Sequence, residues 1–370
     1  MMKAGITGQS GFIGSHLYNF LSLQKNIEMI DFEDGFFNNR EDLDNFTAKC
    51  DVIIHLAAMN RHNNPEKLYN TNIELTKKLI SSLERTGSKA HVLVSSSTQE
   101  NRDNLYGKSK KESRKLLLEW SKKNNSKFTG FIIPNVFGPF GNPYYNSFIA
   151  TFSYRIVNNE EPEIQSDSEI DLIYVYDLAQ IIYKHAAEGI ATDKFVVPHI
   201  ASRKVSDVLE TLYKFKNEYV DNGIFPNLES YFDLCLFNTF RSYLPKDFFP
   251  KKLALHKDNR GSFVETVKSL SQGQFSFSTT KPGITRGNHF HIRKVERFAV
   301  IKGKAEIKLR RIGTDESRSY ILDGNEPGFV DMPVWFTHNI KNIGDEDLIT
   351  LFWINEFFDL EDPDTYYEEV

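Results

Sequence analysis

Apolar residues in the first half of the chain gather into short runs, separated by longer stretches with helical spacing. Residues 3–7, 27–32, 51–58 and 90–97 read as strands, because β-branched and aliphatic residues follow one another as they do where both faces of a strand are covered. Residues 15–23, 72–83 and 109–124 read as helices, the last with Leu116, Leu117 and Trp120 as an apolar stripe among straight-chain and charged residues. Strands alternating with helices predict an α/β, doubly wound parallel sheet. A further helix is expected at 206–216. Between 244 and 252 the chain turns to Pro, Lys and Phe, which marks a junction. Beyond it, short alternating runs at 275–280, 297–301, 305–310 and 348–353 predict an all-β unit. A chain of 370 residues suits two cores, and we place the domains at 1–247 and 248–370.

Charge changes this picture only by exclusion. The net charge is −5, with both signs interleaved, so no basic stripe points to nucleic acid. No run approaches the ~18 consecutive apolar residues of a membrane span. The first residues lead straight into a glycine-rich motif, leaving no room for a signal peptide. Cys50 and Cys235 are far apart and share no spacing with other ligands, so buried thiols in a cytoplasmic protein are expected.

Chemistry enters first at Gly8-Gln9-Ser10-Gly11-Phe12-Ile13-Gly14, between a predicted strand and a predicted helix. Glycines so placed allow a tight turn and close approach of backbone N–H groups to a pyrophosphate at a helix N-terminus. Asp31, at the end of the second strand, could accept hydrogen bonds from an adenosine ribose and would repel a 2′-phosphate, which argues for NADH. Arg40 or Arg61 could offset that charge and admit NADPH. The third strand ends in Leu56-Ala57-Ala58, residues small enough to let a cofactor pass. Ser95-Ser96-Ser97 closes the fourth, and Tyr106 and Lys110 follow one helical turn apart. A lysine ammonium beside a phenol should lower its pKa and make the pair a proton donor and acceptor.

In the predicted all-β unit, His289 and His291 alternate on one strand face, Glu296 follows, and His338 lies further on. Three imidazoles and a carboxylate suit a divalent metal, zinc above all.

These motifs carry a resemblance. Residues 7–14, His55-Leu56-Ala57-Ala58, Ser95-Ser96-Ser97, Tyr106 to Lys110, Pro134-Asn135-Val136-Phe137-Gly138-Pro139 and Val175-Tyr176-Asp177-Leu178-Ala179 resemble the extended short-chain dehydrogenase/reductases that act on sugar nucleotides. The resemblance implies a Rossmann fold, NAD(P)H as cofactor with NADPH usual, Ser97 on a substrate oxygen and Tyr106 as proton donor. It also implies Lys110 on the nicotinamide ribose and Asn135 on the substrate side. Only eight residues separate Ser97 from Tyr106, short for the family, so the connecting loop must be trimmed. Thr98-Gln99 stands where dehydratases carry an Asp-Glu pair, which favours plain carbonyl reduction. Residues 283–303 are similar to the first cupin motif, although Trp335 stands where the second motif has glycine. Residues 258–265 resemble the opening of the deoxysugar-nucleotide epimerases, in which the residue matching Arg260 binds nucleotide phosphates.

The combination resembles bifunctional capsular-polysaccharide enzymes. It implies a UDP-linked 4-keto-6-deoxy sugar epimerised at C3 by a cupin barrel and reduced at C4 by the first domain, in a homodimer joined through the cupin. The alternatives are a simple reductase with a cupin used only for dimerisation, and a non-enzymatic dinucleotide-binding redox sensor.

Overall fold

The computed structural model describes every residue from Met1 to Val370 except Arg260, and only the backbone at 257 and 261–263. The chain forms two compact units. One comprises Met1–Thr151 and Ser166–Val205, the other Phe152–Gln165 and Ser206–Val370.

The first unit contains strands β1 (Met2–Thr7), β2 (Ile27–Ile30), β3 (Val52–His55), β4 (His91–Ser97), β5 (Phe128–Ile133), β6 (Asn135–Phe137), β7 (Glu169–Tyr174), β8 (Thr192–Val196) and β9 (Ala201–Lys204). Six of them form a sheet in the order β2-β1-β3-β4-β5-β8, and every pair in it is parallel. All of β3 and β5 is buried, as is β4 up to Ser96, which a parallel sheet covered on both faces requires. Because β1 lies between β2 and β3, successive crossovers leave it in opposite directions. The carboxyl ends of β1 and β3 therefore flank the crevice where open α/β sheets bind ligands. The smaller sheet, β6-β7-β9, carries Asn135.

Helices α1 (Phe12–Ser22), α2 (Arg40–Lys49), α3 (Pro65–Thr86) and α4 (Leu105–Asn124) belong to the same unit. Helix α3 begins earlier than its apolar spacing predicts, because Asn64 accepts hydrogen bonds from the Glu66 and Lys67 N–H groups and Pro65 opens the first turn. Helix α4 begins at Leu105, capped by Asn104 on the Gly107 N–H, and so takes Tyr106 into its first turn.

The second unit holds two five-stranded antiparallel sheets. One runs Lys251–Lys252, Gly328–Met332, Glu296–Lys302, Leu348–Ile354, Gln274–Thr280; the other runs Ser317–Asp323, Lys304–Arg311, Phe336–Asn342, Thr285–Phe290, Tyr366–Tyr367. The all-β reading of the C-terminal region therefore holds as an antiparallel architecture. The same unit includes helix Tyr231–Arg241 and most of helix Val205–Phe215. Its core contains a charged group: Arg297 forms a bidentate pair with Asp331 at 2.7 and 2.9 Å, and the Tyr219 hydroxyl donates to Asp331 at 2.5 Å. Among the described residues no helix is long and apolar enough to cross a membrane. Both cysteines are buried.

Candidate active site and candidate metal centre

The glycine turn is built by contact as much as by flexibility. Gly8 has φ +74°, and a side chain there would meet the Ala57 backbone nitrogen at 2.8 Å. A Cβ on Gly14 would lie 2.1 Å from the Gly8 carbonyl oxygen. The turn thus packs directly on the segment after β3, where the Leu56 N–H donates to the Thr7 carbonyl at 3.1 Å and the Ala57 N–H to Thr7 Oγ1 at 3.4 Å. Gly8, Gly11, Gly14 and residues 56–58 lie in this way at the carboxyl ends of β1 and β3. Phe12 and Ile13 open α1, half-buried. Beneath them Thr7 Oγ1 meets His55 Nδ1 at 2.7 Å, and burial, then Lys110, push the His55 imidazole down to about 3. It is therefore neutral and structural at physiological pH.

Asp31 is exposed just past β2 and accepts a hydrogen bond from the Tyr18 hydroxyl at 2.8 Å. Neither arginine considered for a 2′-phosphate is tied to it. Arg61 donates to the Tyr144 and Tyr145 carbonyls at 3.1 and 3.0 Å, and Arg40 sits 3.8 Å from Asp44.

The three serines at the end of β4 have three different partners. Ser95 Oγ receives Lys110 Nζ at 3.2 Å. Ser96 is buried and bonded to Glu100, which also holds Arg114 through two contacts of 2.8 and 2.9 Å. Ser97 Oγ accepts the Gln99 N–H at 3.1 Å, at the cap of a 3-10 turn spanning Thr98–Asn101. That turn is the trimmed loop. Helix α4 docks on it through Gly107, where a Cβ would lie 2.0 Å from the Gln99 carbonyl oxygen. Gly107→Ala should therefore push the start of α4 outward. We expect ~1–3 kcal/mol of destabilisation in denaturant melts, the usual cost of overpacking, and a fall in kcat larger than the change in KM, because Tyr106 moves with the helix.

Tyr106 is half-buried, with its hydroxyl 3.4 Å from Asn60 Oδ1. Burial, and then Tyr145, push its phenol up to about 12, opposite to the lowering expected from Lys110 alone. Lys110 is itself buried, and desolvation brings it down to about 8 despite Glu100. One contributor escaped the sequence reading. Asn72, buried on α3, accepts the Met59 N–H at 2.7 Å and donates to the Met59 carbonyl at 3.1 Å and to Ser109 Oγ at 3.0 Å. It ties the segment carrying Asn60 to the helix carrying Tyr106. Nothing in local spacing marks an asparagine for that task. Asn135 is exposed at the start of β6. Arg260 lies outside the described residues.

In the second unit His289, His291, Glu296 and His338 converge, with one ligand atom from each within 4.8 Å of the others. His289 pairs with His338 across neighbouring strands, while Glu296 comes from the other sheet. Glu296 Oε2 lies 3.0 Å from His291 Nε2 and 3.3 Å from His338 Nε2, yet all three atoms are buried without an aligned hydrogen bond. Burial alone would raise the Glu296 carboxyl, but the two imidazoles outweigh it and hold the group well below the usual carboxylate range. Burial and the neighbouring histidines push His289 down to about 4. Buried, converging and unsatisfied nitrogens and oxygen are the donor set a divalent cation requires.

A glycine turn at the switch point of a parallel sheet, with a Tyr-x-x-x-Lys helix following β4, is the pattern of a nicotinamide-binding fold. The chain belongs to the NAD dependent epimerase/dehydratase family, whose profile matches residues 4–197. Residues 256–366 match the polysaccharide biosynthesis C-terminal domain. The chain is 35% identical over 369 residues to UDP-2-acetamido-2,6-beta-L-arabino-hexul-4-ose reductase of Pseudomonas aeruginosa, an alignment covering 99% of this chain and 98% of that one. It is similar along its whole length to the crystal structure of the capsular polysaccharide assembling protein CapF from Staphylococcus aureus, covering 100% of both chains with 37% identity and a TM-score of 0.64. The fold also matches RMD from Pseudomonas aeruginosa complexed with NADPH, at 20% identity and a TM-score of 0.52 over 58% of this chain and 85% of that one.

Proposed function

We propose that the protein reduces the C4 ketone of a UDP-linked 2-acetamido-2,6-dideoxy-4-ketohexose, after epimerisation at C3 by a C-terminal cupin barrel. The product would be UDP-2-acetamido-2,6-dideoxy-L-talose, a cytoplasmic precursor for capsule or O-antigen. The observation that carries this reading is the end-to-end relationship to a sugar-nucleotide 4-ketoreductase, together with Ser97, Tyr106 and Lys110 around the crevice of a dinucleotide fold.

The reduced nicotinamide, when bound, supplies a hydride to the carbonyl carbon. Tyr106 gives its phenolic proton to the carbonyl oxygen, so that the C=O bond becomes C–OH. A phenol held at about 12 keeps that proton at neutral pH, as a reduction requires. Ser97 Oγ already accepts the Gln99 N–H, which leaves its own O–H to donate to the same substrate oxygen. Lys110 holds the nicotinamide ribose as a cation. Since Lys110 loses its charge above about pH 8, cofactor kcat/KM should fall as pH rises through that value. Lys110→Met should lower the plateau and flatten the profile. An unchanged limb in that variant would assign the titration elsewhere.

Asp31 favours NADH over the NADPH usual among similar enzymes. One carboxylate oxygen is engaged by Tyr18, the other suits a ribose hydroxyl, and Arg61 is directed to two carbonyls. Measured kcat/KM should be higher for NADH; a tenfold NADPH preference would show that another cation outweighs Asp31.

His289, His291, Glu296 and His338 would hold one divalent ion, zinc by the preference of that ion for imidazole and carboxylate ligands. A bound cation there supplies Lewis acidity, lowering the cost of negative charge on a carbonyl oxygen when the adjacent C–H loses its proton. Elemental analysis should give about one metal per chain, and a value near zero even after added zinc would remove the site. Epimerisation must come first, because reduction removes the carbonyl that makes the C3 hydrogen acidic. NMR of the 4-keto sugar nucleotide in heavy water should therefore show deuterium entering C3 without any nicotinamide. Absence of that exchange in active reductase would leave the C-terminal domain, expected to begin near residue 248, as a module for homodimerisation.

A further inference from the structure

The C-terminal segment closes on the candidate metal centre. Asp364 is 2% exposed and has φ +40°. Its carboxylate accepts the successive backbone N–H groups of Ile292, Arg293 and Lys294 at 3.1, 3.1 and 2.9 Å. Three convergent N–H groups form an anion-binding nest, here filled by the chain's own side chain. The Asp364 carbonyl oxygen meets His291 Nδ1. A carbonyl can only accept, so His291 carries its proton on Nδ1 and turns Nε2 toward Glu296, 3.0 Å away. The neighbouring residues fasten the same segment. Buried Lys294 donates to the Pro363 carbonyl at 2.7 Å, Arg293 pairs with Asp362 at 2.8 Å, and Tyr366–Tyr367 pairs with Phe290 and His289.

We propose that Asp364 is a positioning residue for the metal centre: its carboxylate locks the segment after His291, and its carbonyl fixes the tautomer and orientation of that ligand. The inference rests on the metal reading proposed above. Outer hydrogen bonds to ligating histidines typically carry a factor of ~10–100 in metal affinity. Without the carboxylate, the carbonyl is no longer held against Nδ1, and the ring can turn or adopt the other tautomer.

The test is chelator-competition titration of zinc into the full-length wild type, Asp364→Ala and Asp364→Asn. Asp364→Ala should bind zinc ~10–100-fold more weakly. Asp364→Asn should lie between, because asparagine tolerates positive φ and its carbonyl still accepts, but its amide adds a donor to a ring of donors. In parallel, long-range 15N–1H spectra of zinc-loaded wild type should show the His291 proton on Nδ1. That readout needs no variant to fold. A wild type that binds no zinc removes the metal reading itself. Zinc binding by Asp364→Ala within twofold of wild type, or His291 protonated on Nε2, overturns the role of Asp364 while leaving the metal site standing.

Discussion

Tyr106→Phe is expected to cut the rate of cofactor oxidation with the 4-keto sugar nucleotide by ~10²–10⁴-fold, the range that one positioned proton donor contributes. The substitution removes a single hydroxyl from a half-buried ring whose hydrogen-bond partner is Asn60, at 3.4 Å. The fold should therefore survive, and dinucleotide binding followed by fluorescence should stay within a few-fold of wild type. Both kcat and kcat/KM should fall together, because the lost interaction belongs to the transition state. Solvent, with a far higher barrier to donating at neutral pH, would then have to supply the proton. If the variant kept more than about a tenth of the rate, proton transfer would have to pass through another group. Ser97, at the carboxyl end of β4, would be the first to test.

The second large effect is on stability. Asp331→Ala should destabilise the second unit by ~3–5 kcal/mol, the usual result of stranding one member of a buried ion pair. Asp331 is completely buried and Arg297 2% exposed. Besides the bidentate pair, Asp331 accepts from Tyr219 at 2.5 Å, so its loss leaves a guanidinium and a phenol without their acceptor. The rings of Phe329 and Phe225, 3.6 and 4.4 Å from the Arg297 guanidinium, soften that cost without replacing a carboxylate. Removing both charges at once, as Arg297→Met with Asp331→Leu, should recover much of the loss, because the desolvation penalty goes with the pair. Urea melts followed by Trp353, which stacks on Phe225 at 4.3 Å, would show whether the double variant lies above the single one. A double variant no more stable than the single would mean that shape rather than charge compensation governs this core.

Much of the fold was legible because local rules and tertiary demands coincide along β1, β3, β4 and α1. There, continuous apolar runs, the glycine turn and helical spacing all require the same thing. Alternation in the sequence suggests His289 and His291 as neighbours, although the strand itself ends at Phe290 and His291 lies just beyond it. Their meeting with Glu296 and His338 depended on two different strand pairings, which no local pattern encodes. The start of α3 is not visible in apolar spacing because its first turn is set by Asn64 and Pro65. Helix α4 starts before its predicted residue 109 for a related reason, its cap being the side chain of Asn104.

What the sequence by itself determined was the class of chemistry: a dinucleotide turn, a Tyr–Lys pair one helical turn apart, and a histidine-rich strand. Each is a short-range pattern whose meaning survives any packing. The direction in which Tyr106 titrates was decided only by tertiary structure. The lysine one turn away favours the phenolate, but burial and Tyr145 outweigh it and hold the phenol at about 12. The partners of Ser95 and Ser96 were likewise decided by which face of β4 meets Lys110 and which meets Glu100. The place of Asp364 depends on a residue 73 positions further along the chain returning to His291. Electrostatics in a folded protein is a property of distance and desolvation, and both are set by neighbours remote in sequence.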